Sequence, residues 1–284
     1  MNNCIVLDGR KLAAISNEEL SKKASDLLTN HGRKPCLAAI LVGQDPASAT
    51  YVSMKEKACN TIGIETRTYK KDVECSTREV LELIDLLNND EQVDGILLQH
   101  PVPNHVDELM CFNAINIEKD VDGVTTLGFG NLSMGIDSFG SCTPLGIMRL
   151  LNHYGITIEG KTALVIGRSQ ILGKPMAAML LNANATVTVA HSKTKNLNEL
   201  LAQSDIVVAA VGKPQFIDSS KLKLGSVLID AGYHPDENCG DVDLSNVEQV
   251  VSAYTPVPGG VGPMTINTLI YNTIHSMEKR VNVK

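Results

Sequence analysis

Long apolar runs are missing from this 284-residue chain. Stretches such as Leu37 to Val42 and Ala163 to Ile166 fall far short of the roughly 20 residues that cross a bilayer, so no membrane partner is expected. The opening segment MNNCIVLDGRK lacks the apolar centre of a secretory leader, which points to the cytoplasm. Positive charge is in deficit too. Lys and Arg total 25 against 32 Asp and Glu, and a formal charge of -7 repels a phosphate backbone, so nucleic acid is not an expected partner. A site for one small phosphate needs only one or two cations and remains compatible with that balance.

Clustered metal and redox ligands are also lacking. The seven cysteines (Cys4, Cys36, Cys59, Cys75, Cys111, Cys142 and Cys239) are odd in number and widely scattered, with no C-x-x-C pair, so they read as reduced, mostly buried thiols. The seven histidines show no H-E-x-x-H spacing. His100 and His105 flank P-V-P-N, whose prolines prevent one helical face from carrying both. No metal is expected.

What remains is ordinary globular material, 43% hydrophobic and 20% charged, in a chain longer than the usual single domain. Short apolar runs alternate with stretches of helical period, the pattern of parallel sheets covered by helices. In the first half Asp8 can cap a helix that runs to His31-Gly32, followed by a strand at 36–42, a helix at about 47–62, a strand near IETRTYK, a helix near 77–89 and a strand at 94–98. The span from His100 to Ser141 is rich in Pro, Gly, Asn and Ser and reads as loops and short elements. The alternation then resumes, with strands at 162–166, 186–190, 206–211 and 226–231 and a last helix from about Met264 to Arg280. The fold class is α/β: two α/β domains flanking a cleft, residues 1–140 completed by 264–284, and residues 141–263 as a Rossmann-like nucleotide domain.

In TALVIGRSQILGKP, Gly167, Arg168 and Ser169 directly follow a strand, and Gly173 and Pro175 open a helix. A glycine at the strand exit allows close backbone approach, and the helix N-terminus offers unpaired N–H groups to a pyrophosphate. The G-x-x-x-x-x-G spacing leaves two readings open, a phosphate turn or a plain strand-to-helix turn. About twenty residues on, TVTVA ends in His191-Ser192-Lys193-Thr194, where an NAD site would carry an acid for the ribose hydroxyl. Nothing there repels a 2'-phosphate, and Ser192, Lys193 and Arg168 can donate to one, so NADP is preferred over NAD. His191 and Lys193 can equally be a strand-end packing residue and a solvated loop charge.

Three further features gather polar groups. Tyr51 and Lys55, four apart in A-S-A-T-Y-V-S-M-K, share one helix face. Gln99 ends the apolar strand DGILL just before two prolines. The carboxylates of K-D-V-D-G (119–123) make either a turn or a binding element.

Taken in order, A-T-Y-V-x-x-K, D-G-I-L-L-Q-x-P-x-P, K-D-V-D-G, G-R-S-x-x-x-G-x-P and T-P-V-P-G-G-V-G-P-M-T resemble the methylenetetrahydrofolate dehydrogenase/cyclohydrolase family over nearly the whole chain. The resemblance implies an enzyme that oxidises 5,10-methylenetetrahydrofolate with NADP and hydrolyses the methenyl product to 10-formyltetrahydrofolate, a one-carbon supply for purine biosynthesis. It implies that Lys55 is the catalytic amine, with Gln99 and Tyr51 beside it and Tyr51 stacked on the folate, and that Asp122 holds the pterin's amino-pyrimidine edge. Pro258, Gly259, Gly260, Pro263 and Thr265 would border tetrahydrofolate derivatives, while Gly167, Arg168, Ser169 and Ser192 would hold NADP. A homodimer joined through the cofactor domains is implied as well. Such a site is chemically sufficient: hydride passes directly between aligned ligands, and an amine beside a cationic substrate can lose its proton near neutrality. One departure stands out, because a small aliphatic residue usually follows the D-x-G of the last strand and this chain has Tyr233, which would line the nicotinamide pocket. Two other readings are an NADP-dependent dehydrogenase of some other small substrate, and a non-enzymatic redox sensor or assembly module that has no use for Tyr51, Lys55, Gln99 and Asp122 together.

Overall fold

A computed structural model describes residues 4–282. In chain order the elements are β1 (Ile5–Val6), α1 (Gly9–His31), β2 (Cys36–Val42), α2 (Pro46–Ile62), β3 (Glu65–Lys71), α3 (Thr77–Asn89), β4 (Gly95–Leu98), α4 (Glu108–Ala114) and α5 (Thr126–Ser133). They continue with α6 (Cys142–His153), β5 (Thr162–Ile166), α7 (Gly173–Asn182), β6 (Thr186–Ala190), α8 (Leu197–Gln203), β7 (Ile206–Ala209), β8 (Ile217–Asp218), β9 (Val227–Asp230), β10 (Val242–Asp243), β11 (Ala253–Tyr254) and α9 (Val261–Asn282).

The chain divides into two compact units. One comprises Ile15–Gly140 with the described part of Ile266–Lys284. Its sheet is parallel, in the order β3-β2-β4, and every residue of central β2 is buried, which is why CLAAILV is apolar without alternation. Local chemistry sets the helix ends. Asp45 caps α2 by accepting from the Ser48 N–H, and Gly63 ends the helix at φ 96. Ser76 and Glu79 form a reciprocal capping box on α3. Ile40, Val80, Ile84, Leu87, Ile96 and Phe112 are part of the core between the sheet and its helices. Because β3 and β4 lie on opposite sides of β2, the chain reverses its winding at the carboxyl end of β2, where a doubly wound sheet opens a crevice.

The other unit comprises the described part of Met1–Ala14 with Ser141–Thr265. Its six-stranded sheet runs β1-β11-β9-β7-β5-β6, all parallel, around a core that includes Leu164, Ile166, Val207 and Leu228. Here the winding reverses at β5, between β6 on one side and β7 on the other. The expected start of the first domain at residue 1 needs correcting, because Ile5 and Val6 pair with Ala253 and Tyr254 in this sheet. Strands of two residues carry no periodicity, and their place is decided by the partner strand.

No described helix is long and apolar enough to cross a membrane.

Candidate active site

In the first unit, Lys55 and Gln99 meet. Gln99 directly follows β4, and its N–H donates to the Ile40 carbonyl of β2 at 2.9 Å, which holds it at the winding reversal. Its side chain is 8% exposed and fully directed: Nε2 donates to the His100 carbonyl at 2.7 Å, so Oε1 turns to Lys55 Nζ at 3.0 Å. The carboxamide therefore presents an acceptor to the amine in one orientation. Tyr51 sits one turn earlier on α2 and is 44% exposed, so part of its ring is open to solvent. One turn beyond Lys55 is Cys59, fully buried, and burial pushes its thiol up to about 12.

K-D-V-D-G turns out to be three separate devices. Lys119, though charged, is buried, and its Nζ donates to the carbonyls of Leu87, Asn88 and Asp90 at 2.8, 2.8 and 2.7 Å. It caps the C-terminus of α3, satisfying carbonyls that a helix end leaves orphaned. Asp120 is also buried and accepts from the N–H groups of Val124 and Thr125 at 3.0 and 2.9 Å; burial raises its pKa. Gly123 takes φ 67 to complete the turn. Asp122 alone is left half-buried, with no hydrogen bond to its carboxylate among the described residues. The turn reading of this motif is therefore observed, through Lys119, Asp120 and Gly123, and Asp122 is the motif's one carboxylate not used by that turn.

In the second unit, β5 and β6 pair through Ile166 and Ala190, so Arg168 and Ser192, each two residues past the pair, leave the same edge of adjacent strands. Both are exposed, as is Lys193. The His191 ring nitrogen Nδ1 accepts from the Lys193 N–H at 3.2 Å and the His191 N–H donates to the Thr194 hydroxyl at 2.9 Å, giving His191 a turn-forming role. Gly167 adopts φ 127, and a Cβ there would overlap the Ala210 carbonyl oxygen; one on Gly173 would overlap the Gly167 carbonyl. These glycines are required by close backbone approach, and the turn they build leads from β5 into the N-terminus of α7, the place where a doubly wound sheet receives a dinucleotide pyrophosphate. Ser169 serves the same helix start, its Oγ accepting from the Gly173 N–H at 3.3 Å.

The 256–260 turn that leads into α9 is as tightly built. A Cβ on Gly260 would come within 2.6 Å of Thr255 Cβ, Gly259 sits at φ 116, and the Arg10 N–H donates to the Gly259 carbonyl at 3.0 Å. Pro258 lies in this turn and Pro263 in the first turn of α9. Thr265 pairs with Thr143, their hydroxyl oxygens 3.1 Å apart. Sequence reasoning missed Thr143, although C-T-P-L-G at a helix start was the available signal. It also missed Asp230 and Asp241, buried carboxylates near Tyr233, whose own side chain is exposed.

A family model described as "Tetrahydrofolate dehydrogenase/cyclohydrolase, catalytic domain" matches residues 7–122, and one described as "Tetrahydrofolate dehydrogenase/cyclohydrolase, NAD(P)-binding domain" matches residues 141–281. The "Bifunctional protein FolD" of Cellvibrio japonicus is 56% identical over 98% of this chain and 99% of its own. Among solved structures, the bifunctional methylenetetrahydrofolate dehydrogenase/cyclohydrolase of Campylobacter jejuni superposes with a TM-score of 0.95 at 44% identity, covering 98% of this chain and 99% of its own. The Trypanosoma brucei dehydrogenase-cyclohydrolase, solved with NADP and an inhibitor, gives a TM-score of 0.94 at 33% identity over 99% of both chains.

Proposed function

The chain belongs to the tetrahydrofolate dehydrogenase/cyclohydrolase family, and from that membership we propose a division of labour between its two units and among its site residues. It catalyses the NADP-dependent oxidation of 5,10-methylenetetrahydrofolate to the methenyl cation and the hydrolysis of that cation to 10-formyltetrahydrofolate. The unit built on β2 carries the folate chemistry, and the unit built on β5 carries the nucleotide. NADP, when bound, supplies the hydride acceptor.

The observation that carries the assignment of roles is the 3.0 Å contact of Lys55 Nζ with Gln99 Oε1. Hydrolysis needs water to add to the methenyl carbon and a proton then to move within the tetrahedral adduct. A positioned amine can accept and return that proton, and a neutral carboxamide can aim the amine without adding a charge that would pin it in the protonated form. Tyr51 offers its exposed ring to the folate, and Asp122 offers an acceptor-only carboxylate to the N–H groups of the pterin's amino-pyrimidine edge. The family resemblance assigns Pro258, Gly259 and Gly260, with Pro263 and Thr265 at the start of α9, to folate binding as well. Gly167 and Ser169 shape the pyrophosphate turn, Arg168, Ser192 and Lys193 meet the 2'-phosphate, and Tyr233 flanks the nicotinamide. The absence of an acid after β6 supports NADP over NAD. A cytoplasmic homodimer that feeds purine biosynthesis completes the reading, on the strength of family membership.

The test follows NADPH formation and methenyl decay separately. Oxidation with NADP should be far more efficient than with NAD; equal efficiency overturns the roles of Ser192 and Arg168. Lys55→Met should lower methenyl hydrolysis by about a hundredfold or more while dehydrogenase activity stays within about tenfold. A parallel loss of folate binding in that variant assigns Lys55 to positioning instead.

A further inference from the structure

The strands β7 and β9 are adjacent and parallel, so the loops leaving their carboxyl ends emerge side by side, at the edge where Gly167 leaves β5. One buried carboxylate ties those two loops together. Asp241 has no exposed surface and accepts from three consecutive backbone N–H groups, those of Val211, Gly212 and Lys213, at 2.5, 3.0 and 3.0 Å. Consecutive N–H groups converging on one point form a concavity that captures anions. Here the captured anion is the chain's own side chain.

From the loop after β9, His234 reaches the same carboxylate, its Nε2 donating to Asp241 Oδ1 at 2.9 Å. His234 is next to Tyr233, and its backbone closes a hairpin with Cys239 through bonds of 2.8 and 3.3 Å that returns the chain to Asp241. Gly232 completes the joint, since a Cβ there would overlap the Asp241 carboxylate. The Val211–Lys213 turn and the Tyr233 segment are thereby held to one atom group at the carboxyl edge of the sheet.

We infer that Asp241 and His234 are positioning residues for the nicotinamide cofactor: the carboxylate preorganises both loops, so that NADP meets a formed surface and need not order two loops as it binds. The inference rests on the NADP reading above. Ordering loops at the moment of binding costs affinity, so loosening the joint weakens cofactor binding and leaves chemistry on a saturated enzyme intact. Neither residue needs to touch the cofactor.

The test uses the full-length protein and the variants His234→Ala, His234→Gln and Asp241→Asn. Three readouts are taken: KM for NADP and kcat of oxidation, methenyl hydrolysis without nucleotide, and NADPH fluorescence titration. His234→Ala should raise KM for NADP and the NADPH dissociation constant tenfold or more, with kcat at saturation and methenyl hydrolysis within twofold of wild type. His234→Gln, whose amide still donates, should return KM to within about threefold. Asp241→Asn should exceed His234→Ala in effect; if it does not fold, the histidine pair decides. A KM within twofold of wild type in His234→Ala overturns the inference, as does an equal fall in both activities with KM unchanged, which marks a merely structural role. If wild-type protein itself binds no NADPH and oxidises nothing with NADP, the cofactor reading fails and takes the inference with it.

Discussion

Replacing Lys119 with methionine isolates the capping role that the structure gives to a motif lysine. The substitution keeps the unbranched apolar stem and removes the amine, so little cavity is created. Three bonds to carbonyls at 2.8, 2.8 and 2.7 Å are lost. Hydrogen bonds from a charged donor contribute about 1.5 to 3 kcal/mol each, roughly 5 to 9 together. Against this stands the cost of holding the charge away from water: burial, helped by the positive charge of Arg280, lowers the Lys119 pKa from 10.5 to about 8. At 1.36 kcal/mol per unit that shift is about 3 kcal/mol. The bonds win, and Lys119→Met should destabilise the unit by about 2 to 6 kcal/mol. Hydrogen exchange read on peptides from α3 tests this locally, alongside the urea midpoint of the whole chain, because a two-unit protein need not unfold in one step. Faster exchange in the last turn of α3 is expected. A change below about 1 kcal/mol with unaltered α3 protection refutes the cap.

Two further predictions concern the nucleotide unit. Gly167→Ala forces a side chain onto φ 127 and against the Ala210 carbonyl, and should cost about 3 kcal/mol or more, seen as a lowered thermal midpoint and weakened NADPH binding; a midpoint within a degree of wild type would falsify the close-approach argument. Burial, followed by the nearby charge of Asp241, raises the Asp230 carboxyl from 3.8 to about 6, against three N–H donors that favour the charged form. A pKa raised on folding gives stability that is present below the unfolded value and lost as pH rises through the folded one. Wild type should therefore lose about 2 kcal/mol more than Asp230→Asn between pH 4 and 7. Thermal melts across that range check the slope, and parallel curves contradict it.

Much of the architecture was legible because it is local. The apolar run of β2 reads as a doubly covered strand, the Ser76 and Glu79 box as a helix start, and G-R-S-x-x-x-G-x-P as a strand-to-helix turn. The i, i+4 spacing puts Tyr51 and Lys55 on one face of α2 whatever surrounds them. β1, β8, β10 and β11 were not legible, because two residues have no period and become strands only through a partner.

What the linear order determined by itself, then, was the inventory: two α/β units, a glycine-bearing strand-to-helix turn, no acid to oppose a 2'-phosphate, and a set of polar residues beside strand ends. Tertiary structure decided which of those residues are free to act. It assigned Lys119 and Asp120 to holding the fold and left Asp122 available, turned Gln99 so that its acceptor faces Lys55, and filled a ring of backbone N–H groups with Asp241. The physical reason is that a buried polar group must find partners; those of Asp120 are only four and five residues on, but those of Lys119, Gln99 and Asp241 lie in other elements, far enough away that spacing cannot reveal them.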